Sequence, residues 1–287
     1  MSDVLVVAFD GLDYDLIQEF DCETILSMEE FGKIDNHSQM SAIKTSELYA
    51  SFITGKNYQE HGLEGLVRER PRKELCDLLI PKFFRRNIRG FDWLQSILQE
   101  ALRVEEREFY DKRDLECETI FEQVENSKAL FVPGYNPSLF WKKNSIGFSF
   151  SSIDYEDRPL EYYWDEWEFP RREKKFFRPV NKWYDFCMMH FHRPDMYQHI
   201  YENPGDNKLD RKKLKEVYQD FDDMTERVVE YFGEDYDIII FMSDHGLPTE
   251  TEHNENAFYS CNKEIFGNKE PSIMDFHDEI LDLINEF

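Results

Sequence analysis

Asp244 and His245 combine a carboxylate and an imidazole at the end of an apolar run, residues 236–242. That run is too short and too rich in β-branched residues for a helix, and it therefore predicts a buried strand. Ligand sites of open α/β sheets lie at the carboxyl ends of strands. Because carboxylate oxygen and imidazole nitrogen both suit Zn²⁺ and Mn²⁺, the pair predicts half of a metal site.

Asp10 occupies the matching position after the first predicted strand. Residues 4–9 form a continuous apolar run that ends in Asp10 and Gly11, which is the pattern of a central parallel strand. An aspartate at this point could serve only as a helix cap. Because Asp244 occupies the same kind of position, the pattern favours a ligand over a cap.

Asp195 and His199 are separated by four positions, a spacing that puts both side chains on one face of a helical turn. They follow a strand pattern at residues 184–191, so they belong to the same edge of the sheet as the other acids. His253 comes soon after His245 and could add a further ligand. The alternatives to His253 are the other histidines near strands and helices, His190, His192 and His277.

Thr45 begins a segment whose apolar residues recur at helical spacing until Gly55 ends it. Thr45 could simply cap that helix. It could instead be a nucleophile, because a helix N-terminus offers free N–H groups and a partial positive charge to an anionic group.

Strand and helix patterns alternate along the chain, which predicts an α/β fold with a mostly parallel central sheet and helices on both faces. Residues 1–287 are predicted to form one domain. Two stretches, at about residues 64–116 and 136–182, are predicted to be irregular or helical insertions that form a lid or cap. The predicted strands are residues 4–9, 39–43, 129–132, 184–191 and 236–242, and the predicted helices are residues 13–20, 45–54, 91–102, 116–124, 210–232 and 273–284.

The composition indicates a folded and strongly acidic protein. Apolar residues make up 41% of the chain and the net charge is −26, which argues against stable binding of nucleic acid or of an anionic membrane. The acidity fits either adaptation to high salt or an ordinary acidic cytosolic protein. Five widely spaced cysteines without a CxxC pattern argue against disulfides or a thiolate zinc site. Since neither a secretory leader nor an apolar span is recognisable, we expect a cytoplasmic protein.

Four motifs in this order resemble those of the alkaline phosphatase superfamily, and most closely its type I phosphodiesterase/nucleotide pyrophosphatase-like branch. FDG at residues 9–11 resembles the first metal motif of that branch. KTSELYASFITG at residues 44–55, followed by His61 and Gly62, resembles its nucleophile segment. PDMYQH at residues 194–199 and SDHG at residues 243–246 resemble its two remaining metal motifs. Each motif is short, and the resemblance rests on their order and joint presence.

The resemblance implies two divalent metal ions, Zn or Mn, and a Thr45 nucleophile that forms a phosphothreonyl intermediate. One ion would be bound by Asp195, His199 and His253, and the other by Asp10, Asp244 and His245, with Thr45 at or between the two. The branch often carries an asparagine that contacts phosphate where this chain has Leu48. Lys44, His61 and an arginine from the basic cluster at residues 68–89 are therefore candidates for the missing phosphate contact.

The resemblance favours a hydrolase of phosphodiester or nucleotide pyrophosphate bonds, with a small phosphoester or a nucleotide as the substrate. A phosphotransferase or phosphomutase of the same superfamily remains open, and so does an inactive module that binds a nucleotide or a metal. Sulfatase activity is disfavoured, because Thr45 cannot be converted to formylglycine. The oligomeric state and the leaving group stay undetermined at this point.

Overall fold

A computed structural model of the chain describes residues 2–70, 106–137, 154–155, 158–201, 210–249, 253–267 and 269–285. Its strands are β1 (Val4–Phe9), β2 (Glu30–Ile34), β3 (Val67–Arg70), β4 (Glu106–Phe109), β5 (Ser127–Leu130), β6 (Asp154–Tyr155), β7 (Arg158–Pro159), β8 (Phe186–Phe191), β9 (Ile238–Met242) and β10 (Ala257–Cys261). Its α-helices are α1 (Tyr14–Glu19), α2 (Glu23–Leu26), α3 (Thr45–Thr54), α4 (Tyr58–His61), α5 (Ile120–Gln123), α6 (Leu160–Phe176), α7 (Arg193–Tyr201), α8 (Arg211–Phe232) and α9 (Asp275–Asn285).

The main sheet has six strands in the order β2-β10-β9-β1-β8-β5. The four strands β9, β1, β8 and β5 are parallel neighbours, whereas β10 runs antiparallel to both β9 and β2. The prediction of a mostly parallel α/β sheet is confirmed. The central strands β1, β8 and β9 are buried along their whole length, as expected for strands covered on both faces.

Each face of the sheet carries its own core. Along β1, Leu5, Val7 and Phe9 point into the core under helices α1, α2 and α8, because successive side chains of a strand face opposite sides. The intervening residues of β1 belong to the second core, under helices α3, α5 and α9. The predicted helical cover on both faces is therefore confirmed.

Several predicted boundaries differ from the structure. Residues 39–43 are irregular rather than a strand, and the edge strand is instead β2, whose sequence is too polar for the apolar-run criterion. The helix predicted at residues 116–124 shrinks to α5, because Thr119 caps it through a capping box with Glu122. The helix predicted at residues 91–102 lies outside the described residues, and so do residues 71–89 of the basic cluster. Strand β10 had no counterpart among the predicted elements.

The described parts of the two predicted insertions are the β3–β4 hairpin ladder, the β6–β7 pair and helix α6. Phe176 at the end of α6 is fully buried in the main core, so this end of the second insertion is part of the domain. Four of the five cysteines lie in the described residues and all four are free thiols. Among the described helices, none combines the length and the apolar character that a bilayer crossing needs.

Candidate metal centre

Three neighbouring strands bring acidic side chains together at their carboxyl ends. β1 lies between β9 and β8, and all three run in the same direction. Asp10 directly follows β1, and Asp244 lies just beyond β9. Asp195 lies in the first turn of α7, the helix that follows β8. The parallel arrangement therefore places these carboxylates side by side, as the spacing of the sequence predicts.

Asp10, Asp244 and His245 form one group of side chains, which we call the buried triad. All three residues are fully buried, and one ligand atom of each lies within 4.8 Å of the others. His245 Nε2 lies 3.2 Å from Asp10 Oδ1 and 3.4 Å from Asp244 Oδ2. The other ring nitrogen, Nδ1, lies 2.9 Å from the carbonyl oxygen of Gly246. Donation from Nδ1 to that carbonyl leaves the Nε2 lone pair directed at the carboxylates.

Thr45 joins the buried triad through its hydroxyl. Thr45 Oγ1 lies 3.3 Å from His245 Nε2, a distance matching those from this nitrogen to the two carboxylates. The N-cap of helix α3 is Lys44 in an extended conformation, and Thr45 is the first helical residue. The reading of Thr45 as a cap is therefore wrong, and its hydroxyl is available at the helix N-terminus.

Asp195, His199 and His253 form a second group, the open triad. Asp195 Oδ1 lies 3.4 Å from His199 Nε2 and 3.3 Å from His253 Nε2. The two imidazole Nε2 atoms are 3.1 Å apart. These three atoms thus form a nearly equilateral triangle. The side chain of His199 is 50% exposed, so this triad is open to solvent.

A hairpin explains how His253 reaches the site so soon after His245. Residues 246–248 run antiparallel to residues 253–254, with hydrogen bonds from Gly246 N to Asn254 O and from Asn254 N to Leu247 O. The chain therefore turns back on itself, and the His253 ring stacks on the His245 ring with centroids 3.8 Å apart. The short spacing is compatible with both histidines facing the same centre.

Asp13 holds this hairpin in place. Its Oδ2 atom accepts hydrogen bonds from Asn254 Nδ2 at 2.9 Å and from Asn256 Nδ2 at 3.3 Å. A Cβ atom at Gly246 would overlap the side-chain oxygens of Asn254 and Asp13. Glycine is therefore required at this position, because only a residue without a side chain allows so close an approach.

The clustered carboxylates perturb one another. Burial, together with the charge of Asp10, raises the pKa of Asp244 to about 8. Burial opposes a charge on His245, but Asp244 and Asp10 outweigh it and raise the pKa of His245 to about 10. Burial likewise opposes ionisation of Asp10, yet its close contacts with the imidazoles of His190, His192 and His245 hold the pKa of that carboxyl well below its usual range. Positive charge beside Asp10 and Asp244 therefore stabilises these buried carboxylates.

The donor set fits divalent metal ions. Asp10 Oδ1, Asp244 Oδ2 and Asp195 Oδ1 are buried and make no hydrogen bond, which is costly for a carboxylate unless a cation is present. Neighbouring ligand atoms within each triad are 3.1 to 3.4 Å apart. Bonds of about 2.0–2.1 Å in a tetrahedron require a ligand separation of roughly 3.4 Å. Both triads therefore have the size and chemistry of a zinc-like site.

A sequence model of the family described as type I phosphodiesterase/nucleotide pyrophosphatase matches residues 4–269. The chain belongs to this family. The family is a branch of the alkaline phosphatase superfamily, and the matched region contains every residue of both triads together with Thr45. No curated protein matches the chain in sequence.

Solved structures with a similar fold are distant from this family member. Murine ectonucleotide pyrophosphatase/phosphodiesterase 5 has 16% sequence identity and a TM-score of 0.49, over 85% of this chain and 57% of the murine chain. An inactive variant of the murine protein, solved in complex with AMP, gives the same identity and TM-score over 86% and 57% of the two chains. The PH0037 protein from Pyrococcus horikoshii has 14% identity and a TM-score of 0.49, over 100% of this chain and 97% of that chain. The chain thus spans little more than half the length of the murine relative.

His61 does not join the triads in this family member. Its ring is fully buried, and burial lowers its pKa to about 4. Nδ1 accepts a hydrogen bond from the Leu63 backbone N–H at 3.1 Å, and Nε2 lies 3.0 Å from Ser51 Oγ. Because both ring nitrogens are engaged inside the core, the predicted phosphate contact by His61 is not supported. Lys44 remains next to Thr45 and half-buried.

Leu48, at the position where the family often has an asparagine, is fully buried in the core beneath helix α3. This side chain packs against apolar neighbours and offers no group to a phosphate. His277 is also away from the triads: its ring packs against Gly55 and lies 3.1 Å from Gln123 Nε2.

The sequence reasoning missed the contact of Tyr49 with the buried triad, and it considered His190 and His192 only as alternatives to His253. His190 and His192 both lie near Asp10, and the Tyr49 hydroxyl lies near Asp244. A signal existed for the two histidines, because alternate residues of a strand face the same side and the strand ends beside Asp10. No signal existed for Tyr49, whose apolar ring fits the core pattern of its helix.

Proposed function

We propose that this protein is a metal-dependent hydrolase of phosphodiester or nucleotide pyrophosphate bonds, with Thr45 as its nucleophile. The observation that carries the proposal is the position of Thr45 Oγ1, 3.3 Å from His245 Nε2 at the start of helix α3. A hydroxyl beside a cluster of orphaned carboxylate oxygens has the surroundings of an activated nucleophile rather than of a helix cap. Membership of the phosphodiesterase family supports the reaction class.

Two divalent ions, zinc or manganese, would be held by the two triads. The buried triad with Thr45 would bind one ion, and the open triad would bind the other. When bound, such ions lower the pKa of a coordinated hydroxyl and neutralise the charge of a phosphate group. The orphaned oxygens of Asp10, Asp244 and Asp195 are the atoms that support this assignment.

The chemistry assigned to the chain itself is a double displacement at phosphorus. Thr45 Oγ1 gives up its proton and attacks the phosphorus atom, the bond from phosphorus to the leaving oxygen breaks, and that oxygen takes up a proton. Phosphorus stays joined to the rest of the substrate and is now also esterified to Thr45, so the intermediate is a phosphothreonyl ester that still carries the remaining substrate group. A water molecule then attacks that ester and restores the Thr45 hydroxyl. The first backbone N–H groups of helix α3 have no partner inside the helix, and they can donate to the phosphoryl oxygens throughout. Lys44 would add a positive charge beside them.

A small nucleotide-like substrate is the class that the family description supports. The acidic surface of the chain, with a net charge of −26, opposes binding of a long polyanion. A phosphotransferase would share the same phosphothreonine ester and would pass the group to an alcohol instead of water. The burial of Leu48 is the one observation that favours an inactive binding module, because it removes a side chain that could hold phosphate.

The test is a panel of monoester, diester, pyrophosphate and sulfate esters assayed with Zn²⁺ or Mn²⁺, using wild type, Thr45→Ala and Thr45→Ser. We expect turnover of a diester or a pyrophosphate, and a loss of at least about 1,000-fold in Thr45→Ala, as for removal of other nucleophiles. Thr45→Ser keeps a hydroxyl and is the matched control, with much of the activity retained. Trapping of Thr45 esterified to the phosphorus-containing part of the substrate, in acid-quenched wild type, would identify the intermediate directly.

Two outcomes would decide against this proposal. If Thr45→Ala hydrolyses the same substrates as fast as wild type, Thr45 is not the nucleophile. If wild type and Thr45→Ala both lack activity on the panel and yet bind a nucleotide tightly, the chain is a binding module. Transfer product in large excess over hydrolysis, measured with an added alcohol, would identify a phosphotransferase.

A further inference from the structure

In each of the two carboxylates of the buried triad, the two oxygen atoms have different surroundings. Asp10 Oδ2 is hydrogen-bonded to His192 Nδ1 at 2.7 Å and also lies 3.2 Å from His190 Nε2, which makes no hydrogen bond. Asp10 Oδ1 makes no hydrogen bond either. Asp244 Oδ1 accepts a hydrogen bond from the Tyr49 hydroxyl at 3.4 Å, whereas Asp244 Oδ2 makes none. In each carboxylate, one oxygen is held by a protein group and the other faces His245.

The groups that hold these oxygens come from two neighbouring elements. His192 directly follows β8, and His190, which pairs with Ala8 of β1, lies two residues before it in that strand. Tyr49 lies in helix α3, one turn beyond Thr45, so the two side chains share a helix face. The Tyr49 ring meets the His190 ring edge-on, with centroids 4.9 Å apart. The contact between the Tyr49 and His190 rings therefore links helix α3 to strand β8.

We infer that Tyr49 and His192 are positioning residues, which fix one oxygen of each buried carboxylate so that Asp10 and Asp244 each present a single oxygen to the metal ion. The inference rests on the proposed function, because it assumes that the buried triad binds an ion. A carboxylate that is free to rotate can bind through either oxygen or both. Hydrogen bonds from outside the ligand set remove that freedom before the ion arrives, and losing such a group typically weakens metal binding about 10- to 100-fold.

His192 could instead be a ligand, since Asp10, His192 and Asp195 also offer three ligand atoms within 4.8 Å of one another. The distance from His192 Nδ1 to Asp10 Oδ2 is 2.7 Å, which is the length of a strong hydrogen bond to a carboxylate. Neighbouring ligand atoms within the two triads are farther apart, at 3.1 to 3.4 Å. The shorter distance favours a proton between His192 and Asp10 over a shared cation.

The experiment measures Zn²⁺ affinity at the buried triad alone. The parent is His199→Ala, which removes one ligand of the open triad and leaves the buried triad intact. Apoprotein of this parent is titrated with Zn²⁺ against a chromophoric chelator, and Tyr49→Phe or His192→Leu is then added to it. We expect each addition to weaken Zn²⁺ binding about tenfold or more. His192→Asn, whose amide can donate in place of Nδ1, should recover most of the affinity.

Tyr135→Phe is the matched control for the tyrosine. It removes a hydroxyl that bonds to Glu122, a residue of neither triad, and we expect the Zn²⁺ affinity of the parent to stay unchanged. Substitution of Co²⁺ for Zn²⁺ gives a second readout, because the visible absorption of bound Co²⁺ should change in Tyr49→Phe if the geometry of Asp244 changes.

Unchanged Zn²⁺ affinity and an unchanged Co²⁺ spectrum in Tyr49→Phe and His192→Leu would overturn the inference, and the proposed function would stand. A parent that binds no Zn²⁺ would overturn both. Circular dichroism of each variant separates a loss of affinity from a loss of folding, and Tyr49→Phe, which keeps the buried ring, is the variant on which the decision rests if His192→Leu fails to fold.

Discussion

The buried triad and the open triad use the same ligand types, yet different kinds of structure hold them. The buried triad follows directly on two central strands, and its members are fully enclosed. The open triad depends on one turn of helix α7 and on a two-stranded hairpin, and His199 is half exposed. The carboxyl ends of the central strands fix one group of ligands. The other group depends on segments that can open locally without unfolding the core.

For the two ions of the proposed metal centre, the difference predicts unequal lifetimes. On addition of excess chelator to the Zn²⁺-loaded protein, we expect one ion to leave about 100-fold faster than the other, because local opening of exposed segments costs far less than opening of a core. Release followed by a chromophoric chelator should show two phases. His199→Ala should lack the fast phase alone. A single phase for both ions would show that the two triads open together.

The hydrogen bonds by which Asp13 holds the hairpin with His253 in place predict a smaller effect, confined to the open triad. Asn254→Ala removes a hydrogen bond to Asp13 without touching a ligand, and we expect Zn²⁺ affinity at the open triad to fall about tenfold. The buried ion should bind as before. Asp13→Ala should add a loss of stability of about 1 kcal/mol, because Asp13 also caps helix α1.

Calorimetric titration with Zn²⁺ resolves the two affinities, and thermal melts of the apoproteins measure the stability difference between these two variants. Equal weakening at both triads in Asn254→Ala would contradict the division, since it would mean that the hairpin supports the buried ligands as well.

The smallest expected effect concerns the apoprotein. Asp244→Asn should stabilise it by roughly 1 kcal/mol, or about 2 °C in Tm for a chain of this length, while it weakens binding of the buried ion. The pKa of Asp244 rises from 3.8 to about 8 on folding. Between these values the folded carboxyl binds a proton that the unfolded one does not, so wild-type stability falls as pH rises through this range.

The advantage of Asp244→Asn over wild type should therefore grow from about pH 4 to about pH 8 and then level off, given the pKa of about 8 for the folded carboxyl. Tm measured in metal-free buffers across this range checks the slope. A constant difference would show that Asp244 does not change its ionisation on folding.

The sequence could predict the parts of the site that follow from strand ends. Asp10, Asp244 and Asp195 were recognisable because buried parallel strands end beside them, and parallel strands end at one edge. The two central runs at residues 4–9 and 236–242 led to β1 and β9 with little error. Local pattern and tertiary position agree at these places, because a central strand must be apolar on both faces.

The remaining features depend on contacts between distant segments. The hairpin that returns His253 to His245 closes through Asp13, a residue more than 200 positions earlier in the chain, and no local pattern records that contact. The roles of Tyr49 and His61 were hidden for the same reason. By residue type and spacing, Tyr49 and His61 resemble ordinary core or loop residues. Only their contacts show that Tyr49 touches Asp244, a candidate metal ligand, whereas His61 is enclosed in the core.

The β3–β4 ladder brings the two ends of residues 71–105 together. Arg70 pairs with Glu106, and paired strands lie about 4.8 Å apart. Glu47, which lies in the first turn of helix α3, accepts a hydrogen bond from Gly65 N at 2.6 Å, just before β3 begins. A stretch whose ends already adjoin can be lengthened, shortened or replaced at little entropic cost to the rest of the chain. The connection between β3 and β4 can therefore change in length or sequence while the sheet and its candidate metal ligands stay the same.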